Sequence, residues 1–326
     1  SLEGYPLTAI RVEDPTVRQT VTSHAVPTNG YDLARIFQVV PSTATETSKR
    51  QVVVVFGREH GMEQDSSWVC FGLLRELIGQ LKHHGQLANT DVTWILIPLL
   101  DIDAAVRGLH GGDADWDFHN FSPKGAIVTP KPLIGYVAYL RAFANAGIPI
   151  SLIVSLHNCE CNEFPVAFLP FYQSRETDPK QWAALGAWCD MHDLLDNEQD
   201  TLAFNTLFFD RLRALHYPVG QNTPSGMNMK YRLGGSCYRL FGALPLTYEV
   251  NGRYPQRRLS LWELQGLGGE LAMAVHDYLH TDAAIARLDA CRQFLAKRDR
   301  AMQEYWQGQD HPVTAPTREE LLEKGL

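Results

Sequence analysis

A short β-branched run, Val52 to Phe56, gives way through a polar turn to a helical period, and this succession constrains the chain more than any other stretch. Val52 to Phe56, bounded by Gly57, reads as a buried strand. Trp68, Phe71, Leu74, Ile78 and Leu81 then recur at helical spacing. A strand feeding a helix in this way is the start of an α/β unit, and open α/β sheets gather their ligands at the carboxyl ends of strands. The turn at that end carries His60 and Glu63, spaced H-x-x-E. An imidazole and a carboxylate so placed can close on one Zn²⁺ with bonds of about 2 Å. The pair proves little by itself, because His157 and Glu160 repeat the spacing, and a surface His beside a first-turn helix acid reads the same way.

The alternation continues along the chain. Val17 to Val26 and Asp32 to Val39 predict two strands around Pro27-Thr-Asn-Gly30, an antiparallel hairpin at the edge of the sheet. Gly85 ends the first helix, and Val92 to Leu99 predicts the next strand. Leu100 to Pro123 has no clean period and is dense in Asp, Gly and His, which predicts a long functional loop. Pro132 to Ala146 predicts a helix stopped by Gly147, and Pro149 to Leu156 an apolar strand that delivers His157. Further helices are expected over Lys180–Leu194, Leu202–Leu215, Leu259–Leu279 and Asp282–Trp306, with a strand over Leu244–Val250. The fold class is therefore α/β: a mixed, mostly parallel central sheet flanked by helices on both faces. We assign residues 1–280 to one catalytic domain, with the edge hairpin region at 1–46, and residues 281–326 to a C-terminal helical extension.

Composition narrows the partners. A chain of 326 residues, 45% hydrophobic, can bury a large core. Its net charge of −8 argues against nucleic acid or an anionic membrane surface as partner. No apolar run reaches the roughly 18–20 residues of a membrane span. The six cysteines form no C-x-x-C pairs, so neither a zinc ribbon nor a small disulfide framework is expected; Cys159 and Cys161 read as packed thiols. The chain starts at Ser1 without a Met, so a removed signal segment stays open, and the compartment is undetermined with a lean to the cytoplasm. The oligomeric state is unknown.

Three strand ends carry chemistry: His60 with Glu63, His157, and Glu249. Two His and one Glu with an open fourth position make a catalytic zinc set, which polarises a carbonyl and acidifies water. A separate Glu can take that proton and pass it to a leaving amine.

At this point the chain resembles the zinc carboxypeptidase family, including its cytosolic-carboxypeptidase-like branch. His60-Gly-Met-Glu63 stands where the family has H-x-x-E, and Pro98-Leu-Leu-Asp-Ile-Asp-Ala104 where it has N-P-D-G. Asp117-Phe-His-Asn-Phe121 stands for D-x-N-R, Leu152-Ile-Val-Ser-Leu-His157 for the strand closed by the third ligand, and Tyr231-Arg-Leu-Gly-Gly-Ser236 with Leu246-Thr-Tyr-Glu249 for the late Tyr and catalytic Glu. The resemblance spans roughly residues 17–280 in order. It implies that His60, Glu63 and His157 hold one Zn²⁺ and that Glu249 is the base for the attacking water. It further implies that Tyr231 bonds substrate or leaving group, and that Asp117 orients His60 through its second ring nitrogen. Each also has a bland reading: a strand-end acid, a rim aromatic, a loop cap, a satisfied core histidine.

Where the family grips a terminal carboxylate with Asn and Arg, this chain has His119 and Asn120. A neutral Asn lacks the bidentate, charge-assisted clamp of Arg. Arg107 is the nearest replacement cation, or else the oxyanion-stabilising Arg; Lys230, Arg232 and Arg253 are fallbacks. The leading reading is a zinc-dependent hydrolase of a peptide or N-acyl amino acid amide bond. The alternatives are a zinc amidase, deacylase or esterase, and a non-catalytic binding module on the same scaffold.

Overall fold

The computed structural model of the chain describes residues 6, 8–17, 20–26, 34–40, 50–110, 131–158, 166–169, 204–205, 207–217, 222–224, 241–250 and 259–280. Within them, the strands are β1 (Ile10–Val12), β2 (Thr20–Val26), β3 (Ala34–Val40), β4 (Gln51–Gly57), β5 (Val92–Ile97), β6 (Ile150–His157), β7 (Val166–Leu169), β8 (Asn222–Pro224) and β9 (Leu244–Glu249). The helices are α1 (Gln64–His84), α2 (Ile102–Arg107), α3 (Lys131–Asn145) and α4 (Leu261–His280), with a further helical stretch over 207–214.

The main sheet runs β1-β5-β4-β6-β9-β7-β8. Its centre, β5-β4-β6-β9, is parallel, which buries both faces and explains the near-continuous apolar runs of these strands. Alternate residues divide between two cores. Val53, Val55, Leu152, Val154 and Leu246 face α1, α4, Phe204, and Phe208 and Leu212 of the stretch over 207–214. Val52, Val54, Phe56 and Ile153 face Leu140 and Phe143 of α3. Each buried Val or Leu in such a layer contributes about 1.5–3 kcal/mol, so the strands are held by their own side chains.

The carboxyl end of this second face turns polar. Ile153 is followed on the same side of β6 by Ser155 and His157, all buried. In β9, Thr247 is the register partner of Ser155, and Glu249 that of His157. The edge where chemistry was expected thus holds buried Ser155 and His157 on β6 beside buried Thr247 on β9.

Several sequence expectations need correction. The hairpin is present, but β2 and β3 form a two-stranded sheet of their own instead of the sheet's edge. Val39 packs into the core beneath α3, and the antiparallel edge strand is β1, paired with β5. Val17 closes a 3₁₀ turn begun at Pro15, so the strand starts at Thr20. The loop expected from Leu100 contains α2, whose start is capped by Asp101 accepting from Ala104 N at 2.9 Å. Helix α1 is where the spacing put it, yet Trp68, Phe71 and Ile78 lie on its exposed side. Small residues choose the buried face: a Cβ on Gly72 would lie 2.0 Å from Gln265 O, and one on Gly268 2.1 Å from Val69 O. The backbones of α1 and α4 approach too closely there for larger side chains. Strands β7 and β8 carried no sequence signal long enough to read, and residues 281–326 lie outside the described residues. Among the described residues, no helix is long and apolar enough to cross a membrane.

Candidate metal centre

The turn from β4 to α1 is held rigidly by its own backbone. Gly57 O accepts from Leu100 N at 3.1 Å, and Arg58 O from Asp101 N at 3.2 Å. Arg58 takes the left-handed conformation, with φ of 55°, and its amide donates to Ser66 Oγ at 2.7 Å. Ser66 Oγ in turn donates to Glu63 O at 2.6 Å, and Ser66 N donates to Asn158 Oδ1 at 3.2 Å, which ties the first turn of α1 to the end of β6. Gly61 is required by close approach: a Cβ there would meet Ala104 C at 2.4 Å. Glu63 is the N-cap of α1 but makes no side-chain cap bond. An acid at this position would normally accept from the helix N-terminus. Here its carboxylate is turned to a different use.

That use is visible in the distances. Glu63 Oε1 lies 2.6 Å from His60 Nδ1, and Glu63 Oε2 lies 3.0 Å from His157 Nδ1. The two Nδ1 atoms are 3.3 Å apart, from residues separated by 97 positions. All three side chains are buried, at 7% exposure for His60, 5% for Glu63 and 2% for His157. Glu63 Oε2, although 3.0 Å from a ring nitrogen, is in no aligned hydrogen bond. The donor atoms of all three side chains thus face one another in one buried spot.

A tetrahedral ion with bonds of about 2 Å sets its ligand atoms about 3.3 Å apart, close to these separations. The charge balance agrees. Glu59, at 1% exposure, lies 3.1 Å from His157 Nε2, so two buried carboxylates flank this ring. Buried carboxylates need a compensating cation. Burial opposes the charged form of Glu63, but His157 and His60 outweigh it and hold the carboxyl down at about 2. Burial likewise opposes the imidazolium of His157, and Glu59 and Glu63 outweigh it, holding that ring well above its ordinary range. A divalent cation would take over this charge compensation. Imidazole and carboxylate donors suit such an ion.

His110 adds a donor that sequence reasoning overlooked. His60, Glu63 and His110 offer three ligand atoms within 4.8 Å of one another. The His110 ring stacks on His60 at 3.9 Å between centroids, and its Nε2 stands 3.8 Å from Glu63 Oε1. Its side chain is 58% exposed, and its carbonyl accepts from Gly61 N at 2.7 Å. His157 is buried beside the same two residues, whereas His110 is exposed. Glu59 was also overlooked; no spacing in the sequence relates it to His157.

The remaining expected residues are placed as follows. Glu249 has its Cα in register with His157, and Val250 N donates to His157 O at 2.7 Å. Arg107 is exposed in the last turn of α2. Asp117, His119, Asn120 and Tyr231 lie outside the described residues.

No protein-family profile matches the chain. Among solved structures it resembles a metallo-carboxypeptidase from Burkholderia cenocepacia, with a TM-score of 0.50 and 14% identity over 80% of this chain and 64% of that one. The fold is carboxypeptidase-like. Weaker likenesses are a metallo-carboxypeptidase from Pseudomonas aeruginosa (TM-score 0.48, 13% identity, 76% and 62% covered) and the succinylglutamate desuccinylase from Chromobacterium violaceum (0.40, 15%, 79% and 72%). The chain thus spans less than two thirds of the length of either carboxypeptidase.

Proposed function

We propose that the chain is a zinc-dependent hydrolase of the metallocarboxypeptidase type, acting on the amide bond of a peptide or an N-acyl amino acid. One observation carries this reading: His60 Nδ1, His157 Nδ1 and the Glu63 carboxylate meet within 2.6–3.3 Å at the carboxyl edge of parallel strands. Two imidazoles, one carboxylate and an open position form a catalytic zinc set, for which carboxypeptidase A is the established example. Bound there, one zinc per chain supplies Lewis acidity to a carbonyl oxygen and lowers the pKa of water.

The protein's own groups do the rest. Glu249, register neighbour of His157, takes the proton of the attacking water and returns it to the leaving amine. Arg107 is the candidate for stabilising the developing oxyanion, and Tyr231 for bonding the substrate or leaving group. Asp117 orients His60, and His119 and Asn120 face the substrate. These roles rest on the sequence resemblance, as does the cytosolic-carboxypeptidase-like branch. A non-carboxypeptidase amidase, deacylase or esterase, acting on a substrate with no carboxylate at that spot, is the second reading, favoured by Asn120, which gives no cationic clamp for a terminal carboxylate.

The test is metal content combined with hydrolysis assays on C-terminally free peptides, C-terminally blocked peptides and N-acyl amino acids. We expect one zinc per chain, lost in His60→Ala with the fold retained, and cleavage in at least one substrate class. Failure to retain zinc would refute the site. Zinc retention with no hydrolysis across the panel would leave a binding module.

A further inference from the structure

We infer that Glu59 is the positioning residue of this centre: with Ser155 it fixes the ring orientation and tautomer of His157, so that the bare Nδ1 faces the ion. The inference rests on the metal-site reading above and assigns a role to a residue that neither the sequence motifs nor the resemblance singled out.

The orientation follows from which atom donates and which accepts in a buried group of contacts. Ser155 Oγ donates to Glu59 Oε2 and lies 3.0 Å from His157 Nε2; Glu59 Oε2 lies 3.1 Å from the same nitrogen. Glu59, Ser155 and His157 are all at least 96% buried (1%, 4% and 2% exposed), so water does not substitute for a missing partner. An ionised carboxylate only accepts. Ser155 has one proton and gives it to Glu59, so towards His157 it can only accept. Both contacts therefore require the hydrogen on Nε2. With a cation in place of the Nδ1 proton, the ring is neutral and keeps its one N–H on Nε2, so Nδ1 is the nitrogen that would meet the ion. Nδ1 is the nitrogen that lies 3.3 Å from His60 Nδ1 and 3.0 Å from Glu63 Oε2. The opposite tautomer would set a ring lone pair against a carboxylate and a hydroxyl already committed elsewhere.

The fold builds this network deliberately. Ser155 and His157 are two apart on β6 and so share one face of the sheet. Gly57, the last residue of β4, is in register with Leu156, which brings the following turn alongside. Arg58 then adopts its left-handed conformation, a cost of order 1–2 kcal/mol for a residue with a side chain. That reversal delivers Glu59 and His60 consecutively into the buried centre, one on each side of His157. Strain of this kind persists where the surroundings over-determine it, and Ser66 Oγ and Asp101 N hold Arg58 from both sides.

The test uses the full chain loaded with zinc alone. In long-range ¹H–¹⁵N spectra of the unmutated protein, His157 should show a protonated Nε2 and a metal-shifted Nδ1; a metal-shifted Nε2 overturns the inference. Glu59→Gln keeps the shape but offers an amide N–H that can donate to Ser155 or His157. Removing such an outer partner typically costs 10–100-fold in metal affinity. In chelator competition, zinc binding should weaken by about tenfold or more, with the unfolding cooperativity retained; any smaller loss overturns the inference. Should Glu59→Gln not fold, the spectra of the unmutated protein decide. If the unmutated protein takes up no zinc, the metal-site reading fails; if it binds zinc through His60 and His157 while Glu59→Gln binds equally well, only the role of Glu59 fails.

Discussion

Gly61→Ala is a small change with a calculable consequence. The added Cβ would stand 2.4 Å from Ala104 C and Ala105 N, backbone atoms of α2 that no rotamer change can move. Ordinary carbon contacts lie at about 3.5 Å, so turn and helix must part by about 1 Å. Metal sites tolerate about 0.2 Å in a ligand distance. Overpacking of this sort costs about 1–3 kcal/mol, and the metal state decides where the cost is felt. If the strain is present with and without zinc, the melting temperature falls by roughly 1.5–4.5 °C, since a 326-residue chain unfolds with about 0.7 kcal/mol per degree. If the turn relaxes outward in the metal-free protein, the strain appears only on binding, and zinc affinity drops by about 5–150-fold. Thermal unfolding with and without zinc, together with chelator competition, separates the two cases. A variant unchanged in both stability and zinc affinity would refute the claim that this close approach sets the position of His60 and Glu63.

Three further outcomes are expected. In the metal-free protein, Glu63 titrates at about 2 against an ordinary 4.5, so its ionised form contributes stability that is full above about pH 4.5 and lost as pH falls towards 2. Urea titrations across that window should show a slope that Glu63→Gln flattens, and an equal slope in the variant contradicts the assignment. Glu249→Gln should keep its zinc and lose about 10²–10⁴-fold in hydrolysis; full activity eliminates it as the base. Gly72→Leu, which drives a side chain into Gln265 O 2.0 Å from the ideal Cβ, should destabilise the α1–α4 contact by about 1–3 kcal/mol in urea unfolding, and an unchanged midpoint shows that the helices can part freely.

What the sequence disclosed follows from where its signals are local. The runs Val52–Phe56, Leu152–Leu156 and Leu244–Tyr248 announce central strands because burial on both faces forces continuous apolar residues. His60, Glu63 and His157 could be proposed together because His157 closes such a run and the other two lie in the turn just after one, and parallel strands bring their carboxyl ends to one edge. The period showed that α1 is a helix but not which face it buries, because small residues such as Gly72 and Ser66 line the buried side while Trp68, Phe71 and Ile78 are exposed. Helix α2 hides among Asp and Gly residues, since a single capped turn and a half has no period to detect. Glu59 and His110 were invisible for a related reason. Their significance lies in contacts across strands and loops, and no regularity along the chain encodes those.

The central claim is that residues 60, 63 and 157 share one ion, and X-ray absorption at the zinc edge addresses it directly. The zinc-loaded chain should show two imidazole nitrogens at about 2.0–2.1 Å and carboxylate oxygen at about 2.0–2.2 Å, with one imidazole lost in His157→Ala. A spectrum without imidazole scattering, or one that His157→Ala leaves unchanged from that of the unmutated chain, would contradict it.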